Sequence, residues 1–204
     1  MDAHAGLLSD ILRADRFTRL VYTSSTRLYD GLSKDEVSET EPLVFDVADP
    51  RRVYDLSKAL GENLTIARSL ERGSVARLAN IYDWEDGAPG FLSEWLIAAR
   101  ASREIKLQSS PHVARDYIHL DDVVTAMIAI AARRGPLFNV ATGQLVTNGA
   151  IAEIFEEAGW TVTFTGDASP APPPNAKVGR LANLGVVARP VKDVVAAYLK
   201  GLKA

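Results

Sequence analysis

The chain has 204 residues, 47% of them hydrophobic and 24% charged, which is typical of a globular protein with one substantial core. A net charge of −3 excludes bulk attraction to nucleic acid or to an anionic membrane, so neither is an expected partner. Because cysteine is absent and the three histidines are scattered, thiol catalysis, disulfides and metal sites are not expected.

Hydrophobic periodicity predicts helices and strands that alternate along the chain. The predicted helices cover residues 4–14, 53–72, 91–102, about 121–133, 147–158 and 190–202, and the predicted strands cover 20–23, 74–81, 105–108, 137–141 and 160–165. Gly73 is expected to end the second helix, and Asp121 or Asp122 is expected to cap the fourth. This order predicts an α/β fold with a mostly parallel sheet.

No segment of the sequence predicts secretion or membrane insertion. The N-terminus lacks a basic region followed by a long apolar run, which a signal peptide requires. The longest apolar stretch, residues 126–132, is too short to span a bilayer. We therefore expect a cytoplasmic protein.

Five segments carry polar motifs in a characteristic order. They are RLVYTSSTRLYD (19–30), VYDLSKALGENL (53–64), VARLANIYD (75–83), ARDYIHLDDVVTAM (114–127) and FNVATGQ (138–144). In this order and spacing they resemble the extended short-chain dehydrogenase/reductase family, in its NAD-dependent nucleotide-sugar epimerase/dehydratase branch. The resemblance covers nearly the whole chain and implies a truncated Rossmann-like, doubly wound parallel sheet with a small C-terminal substrate-binding part.

The resemblance implies a catalytic role for the Tyr-x-x-x-Lys pair of the second segment. Tyr54 would deprotonate a substrate hydroxyl as hydride leaves the same carbon for NAD, with Lys58 lowering the pKa of the phenol. Both residues would also contact the cofactor, and Ser25 would orient the substrate hydroxyl. The residues alone allow a simpler interpretation, in which Tyr54 and Lys58 form an exposed pair one helical turn apart.

Substrate binding is implied for four polar residues. Ser24 and Ser25 follow a predicted strand, although their hydroxyls would also suit the backbone groups at a strand end. Asn80 matches an asparagine that touches the nucleotide-sugar, and Arg115 matches an arginine that contacts its phosphate. The alternative for Arg115 is a salt bridge to a nearby aspartate, Asp116 or Asp122.

The sequence departs from the family in two ways. It contains no glycine-rich dinucleotide turn, and residue 1 aligns with the helix before the fourth strand of the family, so roughly 60–100 residues of the nucleotide-binding half are missing. We therefore expect NAD or NADP to bind weakly to this chain alone. Thr26 and Arg27 replace the Asp-Glu pair of the dehydratases, so a 4,6-dehydration is not expected.

Two functions remain open at this point. The first is an epimerase or oxidoreductase acting on a nucleotide-sugar, and the second is a non-catalytic sugar-nucleotide-binding or regulatory subunit. We expect a single truncated domain (1–204), with residues of about 84–115 and 145–190 forming a small substrate-side subdomain. The expected partners are a second copy, packed through helices 4–14 and 54–72, and a second chain that completes the sheet.

Overall fold

The computed structural model describes residues 5–133 and 135–202, so residue 4 of the first predicted helix lies outside it. Within those residues the chain forms seven α-helices and ten strands. The helices are α1 Leu7–Ala14, α2 Val53–Arg68, α3 Phe91–Ala101, α4 Leu120–Ala132, α5 Asn148–Glu157, α6 Gly179–Ala182 and α7 Val191–Gly201. The strands are β1 Leu20–Ser25, β2 Glu36–Val37, β3 Gly73–Leu78, β4 Asn80–Tyr82, β5 Glu104–Leu107, β6 Ala114–His119, β7 Leu137–Val140, β8 Leu145–Thr147, β9 Thr161–Phe164 and β10 Asn175–Ala176.

The main sheet has three parallel strands in the order β1, β3, β7. Successive side chains of a strand point to opposite faces, and the two faces of this sheet belong to different cores. Tyr22 and Val75 pack with α1, whereas Val21 and Ala76 pack with the buried face of α4. Helices therefore cover both faces, and the predicted α/β fold with a parallel sheet is confirmed.

A second core surrounds two smaller sheets. In the first of these sheets β6 pairs with β4 in parallel and with β8 in antiparallel orientation, and in the second β5 pairs with β9. The core consists of aromatic and aliphatic side chains from α3, α5 and α7, among them Trp95 and Phe155, which are fully buried. The sheet of β4, β6 and β8 extends from the end of the main sheet, because Ala79 separates β3 from β4 by one residue.

The structure corrects the predicted end of the second helix. Helix α2 ends at Arg68, and Leu70 and Glu71 form the turn with φ angles of +50° and +63°. Gly73 does not end the helix but begins β3. Its amide donates to Ser69 Oγ at 2.8 Å, and a Cβ at Gly73 would lie 2.7 Å from Ser69 Cβ. Glycine is needed here for a close approach of two segments.

Near α4 one strand was not predicted and the predicted cap is wrong. Residues 114–119 form strand β6, which the hydrophobic pattern did not predict. The N-cap of α4 is His119, whose Nδ1 accepts a hydrogen bond from the amide of Asp121 at 3.2 Å. Asp121 and Asp122 lie in the first turn instead, where a carboxylate is favoured by the helix dipole.

Candidate active site

The Tyr-x-x-x-Lys pair lies on the first two turns of α2, beside β1. Lys58 is 7% exposed, and its Nζ donates to the carbonyl of Thr23 at 2.8 Å. The same Nζ lies 5.7 Å from the ring centroid of Tyr54, which is 40% exposed. Burial lowers the pKa of the Lys58 ammonium from its ordinary value. The simpler interpretation, an exposed pair, is therefore wrong for Lys58.

Tyr22 is the second aromatic residue next to Lys58, and the sequence did not predict this contact. Its ring centroid lies 5.4 Å from Lys58 Nζ, so the ammonium lies near two aromatic rings. Burial raises the pKa of Tyr22 to about 12. The ring fits there because position 61 is glycine, since an added Cβ would overlap it. A glycine inside a helix, one turn after the lysine, was the available signal.

The two serines after β1 have different surroundings. Ser25 caps the 3₁₀ turn of Thr26–Tyr29, and its Oγ accepts a hydrogen bond from the amide of Arg27 at 3.2 Å. The backbone interpretation therefore holds for Ser25, although its hydroxyl keeps a proton to donate. Ser24 is buried, and its Oγ has no hydrogen-bond partner within the described residues.

A cavity of about 1010 Å³ opens beside the end of β1 and is lined by Ser25, Asn80 and Arg115. Its size suits a ligand larger than a single sugar. Asn80 donates from Nδ2 to the carbonyl of Asp116 at 3.0 Å, which ties the first residue of β4 to β6. Among the residues that the structure describes, Tyr54 and Lys58 are not part of the cavity wall.

Arg115 has no salt bridge to either aspartate in the part of the chain that is described. Asp116 accepts hydrogen bonds from the loop of residues 142–144, and Asp122 pairs with Arg189 at 2.9 Å. The Nη1 atom of Arg115 is buried without a hydrogen-bond partner among the described residues, while its Cζ lies 5.1 Å from the ring centroid of Phe91. A guanidinium in the cavity wall that forms no salt bridge among the described residues suits an anionic ligand.

Asp116 is a positioning residue that the sequence analysis did not assign. Its carboxylate accepts from the amides of Thr142, Gly143 and Gln144 and from the hydroxyl of Thr142. Burial raises the pKa of Asp116, and these donors oppose that effect. The carboxylate fixes the loop after β7 against β6, next to Arg115.

The guanidinium of Arg27 lies next to the ring of Tyr54. The Cζ atom of Arg27 lies 5.5 Å from the Tyr54 ring centroid. Its Nε lies 3.0 Å from Oδ1 of Asp55, and Arg52 donates from Nη1 to Oδ2 of the same carboxylate at 3.0 Å. Asp55 is fully buried, so both arginines are anchored at the start of α2.

The described residues contain no group of three or more His, Cys, Asp or Glu side chains that could hold a metal ion. None of the helices in the described ranges has the length and apolar character needed to cross a membrane. The sequence has no glycine-rich turn that would hold the pyrophosphate of a dinucleotide.

The parallel sheet with helices on both faces, and the polar residues at the end of β1, define the Rossmann-like class of α/β proteins. Residues 5–141 match the model of the NAD dependent epimerase/dehydratase family, and the chain belongs to that family. The dTDP-L-rhamnose 4-epimerase of Burkholderia thailandensis is 30% identical over 105 residues, which are 47% of this chain and 29% of that protein. The chain therefore spans less than a third of this curated relative.

Solved structures of the same class share the fold. A MoeE5 complex with UDP-glucose and NAD aligns over 98% of this chain and 70% of that chain, with a TM-score of 0.74 and 22% identity. The UDP-glucuronic acid 4-epimerase of Bacillus cereus aligns over 98% of this chain and 67% of that chain, with a TM-score of 0.75 and 16% identity. At these identities the likeness concerns the fold alone.

Proposed function

We propose that this chain binds a nucleotide-sugar in the cavity beside β1 and takes part in NAD-dependent epimerisation or oxidation of the sugar. The observation that carries the proposal is the buried Lys58 beside the partly exposed Tyr54, next to a cavity lined by Ser25 and Arg115. Membership in the epimerase/dehydratase family and relatives that act on or bind dTDP- and UDP-sugars support this substrate class.

Each polar residue has a distinct role in this proposal. Tyr54 and Lys58 would hold the nicotinamide end of NAD, which would supply a hydride acceptor for the sugar carbon. Tyr54 takes the proton from the hydroxyl on that carbon, and the ammonium of Lys58 favours the resulting phenolate. Ser25 donates its hydroxyl proton to the substrate and thereby orients it. Asn80 and Arg115 hold the nucleotide-sugar from the part of the wall that β4 and β6 form, with Arg115 directed to a phosphate.

A second polypeptide is part of the proposal. The sequence has no glycine-rich turn to hold the pyrophosphate of NAD or NADP, and β1 is an edge strand within the described residues. A chain that pairs with β1 would both extend the sheet and bring a dinucleotide-binding turn. We propose that the substrate-side subdomain comprises residues of about 84–115 and 145–190.

We also propose a homodimer formed by α1 and α2. These helices pack against each other, and both carry exposed apolar side chains, namely Leu7 and Ile11 on α1 and Val53, Leu60 and Ile66 on α2. Two copies would bury these side chains in a four-helix arrangement.

The second candidate function is a sugar-nucleotide-binding subunit without catalysis. The observation that favours it is that Tyr54 and Lys58 are not among the described residues of the cavity wall, whereas Ser25, Asn80 and Arg115 are. A ligand in the cavity could then bind without meeting the base.

Calorimetric titration with UDP-glucose, dTDP-glucose and NAD, followed by an assay of turnover, tests the proposal. We expect a nucleotide-sugar to bind, and we expect Tyr54→Phe to reduce turnover at least about 100-fold, as loss of a general base does, with binding unchanged. Tyr198→Phe, which removes a phenol that is not among the described residues of the cavity wall, is the control. Normal turnover of Tyr54→Phe contradicts its role as base. Binding of a nucleotide-sugar without wild-type turnover, with NAD in large excess over its weak affinity for this chain alone, supports the second candidate.

A further inference from the structure

The cavity has two separate arginine groups in its wall. Arg115 lies on β6, the strand to which Asn80 is bonded. Three more arginines lie on two short 3₁₀ turns in the same wall. Arg27 lies on the turn that follows β1, and Arg51 and Arg52 lie on the turn that precedes α2. A nucleotide-sugar with a neutral hexose has one anionic part, its pyrophosphate. A second group of arginines in the cavity wall offers a position for a second anion on the ligand.

We infer that Arg27 binds a carboxylate on the sugar itself, so that the preferred substrates are nucleotide-linked uronic acids rather than neutral hexoses. This inference rests on the proposed function, because it takes the reacting end of the sugar to lie at Tyr54 and Ser25.

The position of Arg27 places its charge at that end. The Cζ atom of Arg27 lies 5.5 Å from the ring centroid of Tyr54, and Arg27 and Ser25 both line the cavity. A sugar whose hydroxyl meets these two residues brings its ring substituents within reach of the guanidinium. Arg115 remains for the phosphates, because it lines the same cavity from a different element, β6.

Arg27 is held in place while it remains accessible. Its Nε faces the buried carboxylate of Asp55 at 3.0 Å, and its Nη2 donates to the carbonyl of Arg51 at 3.2 Å. The side chain is nevertheless 48% exposed. An anchored guanidinium loses little conformational freedom when a ligand binds, and its planar fork matches the geometry of a carboxylate.

The neighbouring charges decide how strongly an anion is attracted. Asp55 pairs with both Arg27 and Arg52, and Asp49 pairs with Arg51. The three arginines therefore exceed these two carboxylates by one positive charge. Asp30 lines the same cavity and attracts Arg27, so it opposes a bound anion. Removal of the Asp30 charge should therefore strengthen the binding of a uronic acid.

Calorimetric comparison of UDP-glucuronic acid with UDP-glucose tests the inference, since the two probes differ only in the carboxylate at the sugar. We expect the wild-type protein to bind UDP-glucuronic acid about tenfold more tightly, as one charge-assisted pair provides. Arg27→Met should remove this difference and leave the affinity for UDP-glucose unchanged, and Arg27→Lys should retain part of it. Arg68→Met, which removes an exposed charge at the end of α2, is the control for net charge.

The outcomes separate the inference from the proposed function. If both probes bind equally to the wild-type protein, or if Arg27→Met weakens both by the same factor, the inference is overturned while nucleotide-sugar binding stands. The second result would assign Arg27 to the pyrophosphate. If neither probe binds, both the inference and the proposed function fail. Asp30→Asn gives an independent reading when Arg27→Met does not fold, because it should tighten the binding of UDP-glucuronic acid alone.

Discussion

His119 is buried, favours its neutral form, and has contacts at its ring face and at its Nδ1 atom. It is 2% exposed, its ring centroid lies 4.4 Å from that of Trp84, and its Nδ1 accepts from the amide of Asp121. Burial lowers its pKa below the usual 6.5; the charge of Arg189 acts in the same direction, and nearby aspartates oppose it. The ring of His119 is therefore a packed structural group.

The lowered pKa of His119 predicts a loss of stability in weak acid. The unfolded chain binds the proton more readily than the folded protein, so the free energy of unfolding falls as the pH drops below 6.5 toward the folded pKa. We expect His119→Asn, which keeps a capping side chain but does not titrate, to flatten this dependence by up to about 1.4 kcal/mol per pH unit.

Urea titrations at pH 5, 6 and 7 measure this slope. His112→Asn is the matched control, because His112 is exposed and lies outside α4 and its cap. Equal slopes for the wild-type protein and His119→Asn would show that the buried ring does not resist protonation.

At the scale of single residues, the sequence predicts those features that depend on local spacing alone. Tyr54 and Lys58 share a helical face because they are four residues apart, and that requires no knowledge of the fold. Arg27, Tyr22 and Asp116 gain their roles only through segments that the fold brings together. Asp116, for example, contacts a loop 26 to 28 residues further along the chain. No periodicity in the sequence encodes such a contact.

The buried face of α2 is polar, which the apolar periodicity of its leucines does not predict. Its buried residues include Lys58 and Glu62, whereas Leu60 is half exposed. Glu62 accepts from Nε and Nη2 of Arg77 at 2.8 and 2.7 Å, and both side chains are almost fully buried. Arg77 also donates to the hydroxyl of Tyr29 at 2.8 Å. This ion pair fixes α2 on β3, one turn after the lysine of the candidate site.

Removal of one partner of this ion pair should be strongly destabilising. We expect Glu62→Met to lower the free energy of unfolding by about 3–5 kcal/mol, because the charge of Arg77 stays buried without its counter-ion. The double variant with Arg77→Met should lose less than the sum of the single variants, and a urea double-mutant cycle measures the difference.

Glu41→Met is the control for this cycle, since it breaks the pair of Glu41 with the largely exposed Lys34 and should cost about 0–1 kcal/mol. Strictly additive effects of the Glu62 and Arg77 substitutions would mean that the two charges do not depend on each other in the folded protein.

At the scale of the whole molecule, alternation of helices and strands was sufficient to predict the main sheet. The strands β1, β3 and β7 are hydrophobic runs between helices, and such runs form parallel sheets. The sheet of β4, β6 and β8 was not predicted as a separate sheet. The predicted strand 74–81 runs from β3 into β4, β8 has only three residues, and β6 carries charged residues. These strands exist because of pairing with one another, which a local pattern does not contain.

The exposed apolar side chains of α1 and α2 predict the assembly of the molecule. They lie on two adjacent helices, and a single chain leaves them in water. We expect light scattering to give twice the chain mass of 22.1 kDa for the wild-type protein. The double variant Leu60→Lys/Ile66→Lys should give a single chain mass, because each lysine would have to be buried in the apolar interface.

Ile128→Lys separates this effect from a general effect of added charge. Ile128 is 66% exposed on α4, which packs on the other face of the main sheet, so its substitution should leave the dimer intact. A wild-type mass of 22.1 kDa over the whole concentration range contradicts the proposed dimer. A monomeric Ile128→Lys variant beside a dimeric Leu60→Lys/Ile66→Lys variant would instead place the interface on α4, because a charge disrupts association only where its side chain is buried by the partner.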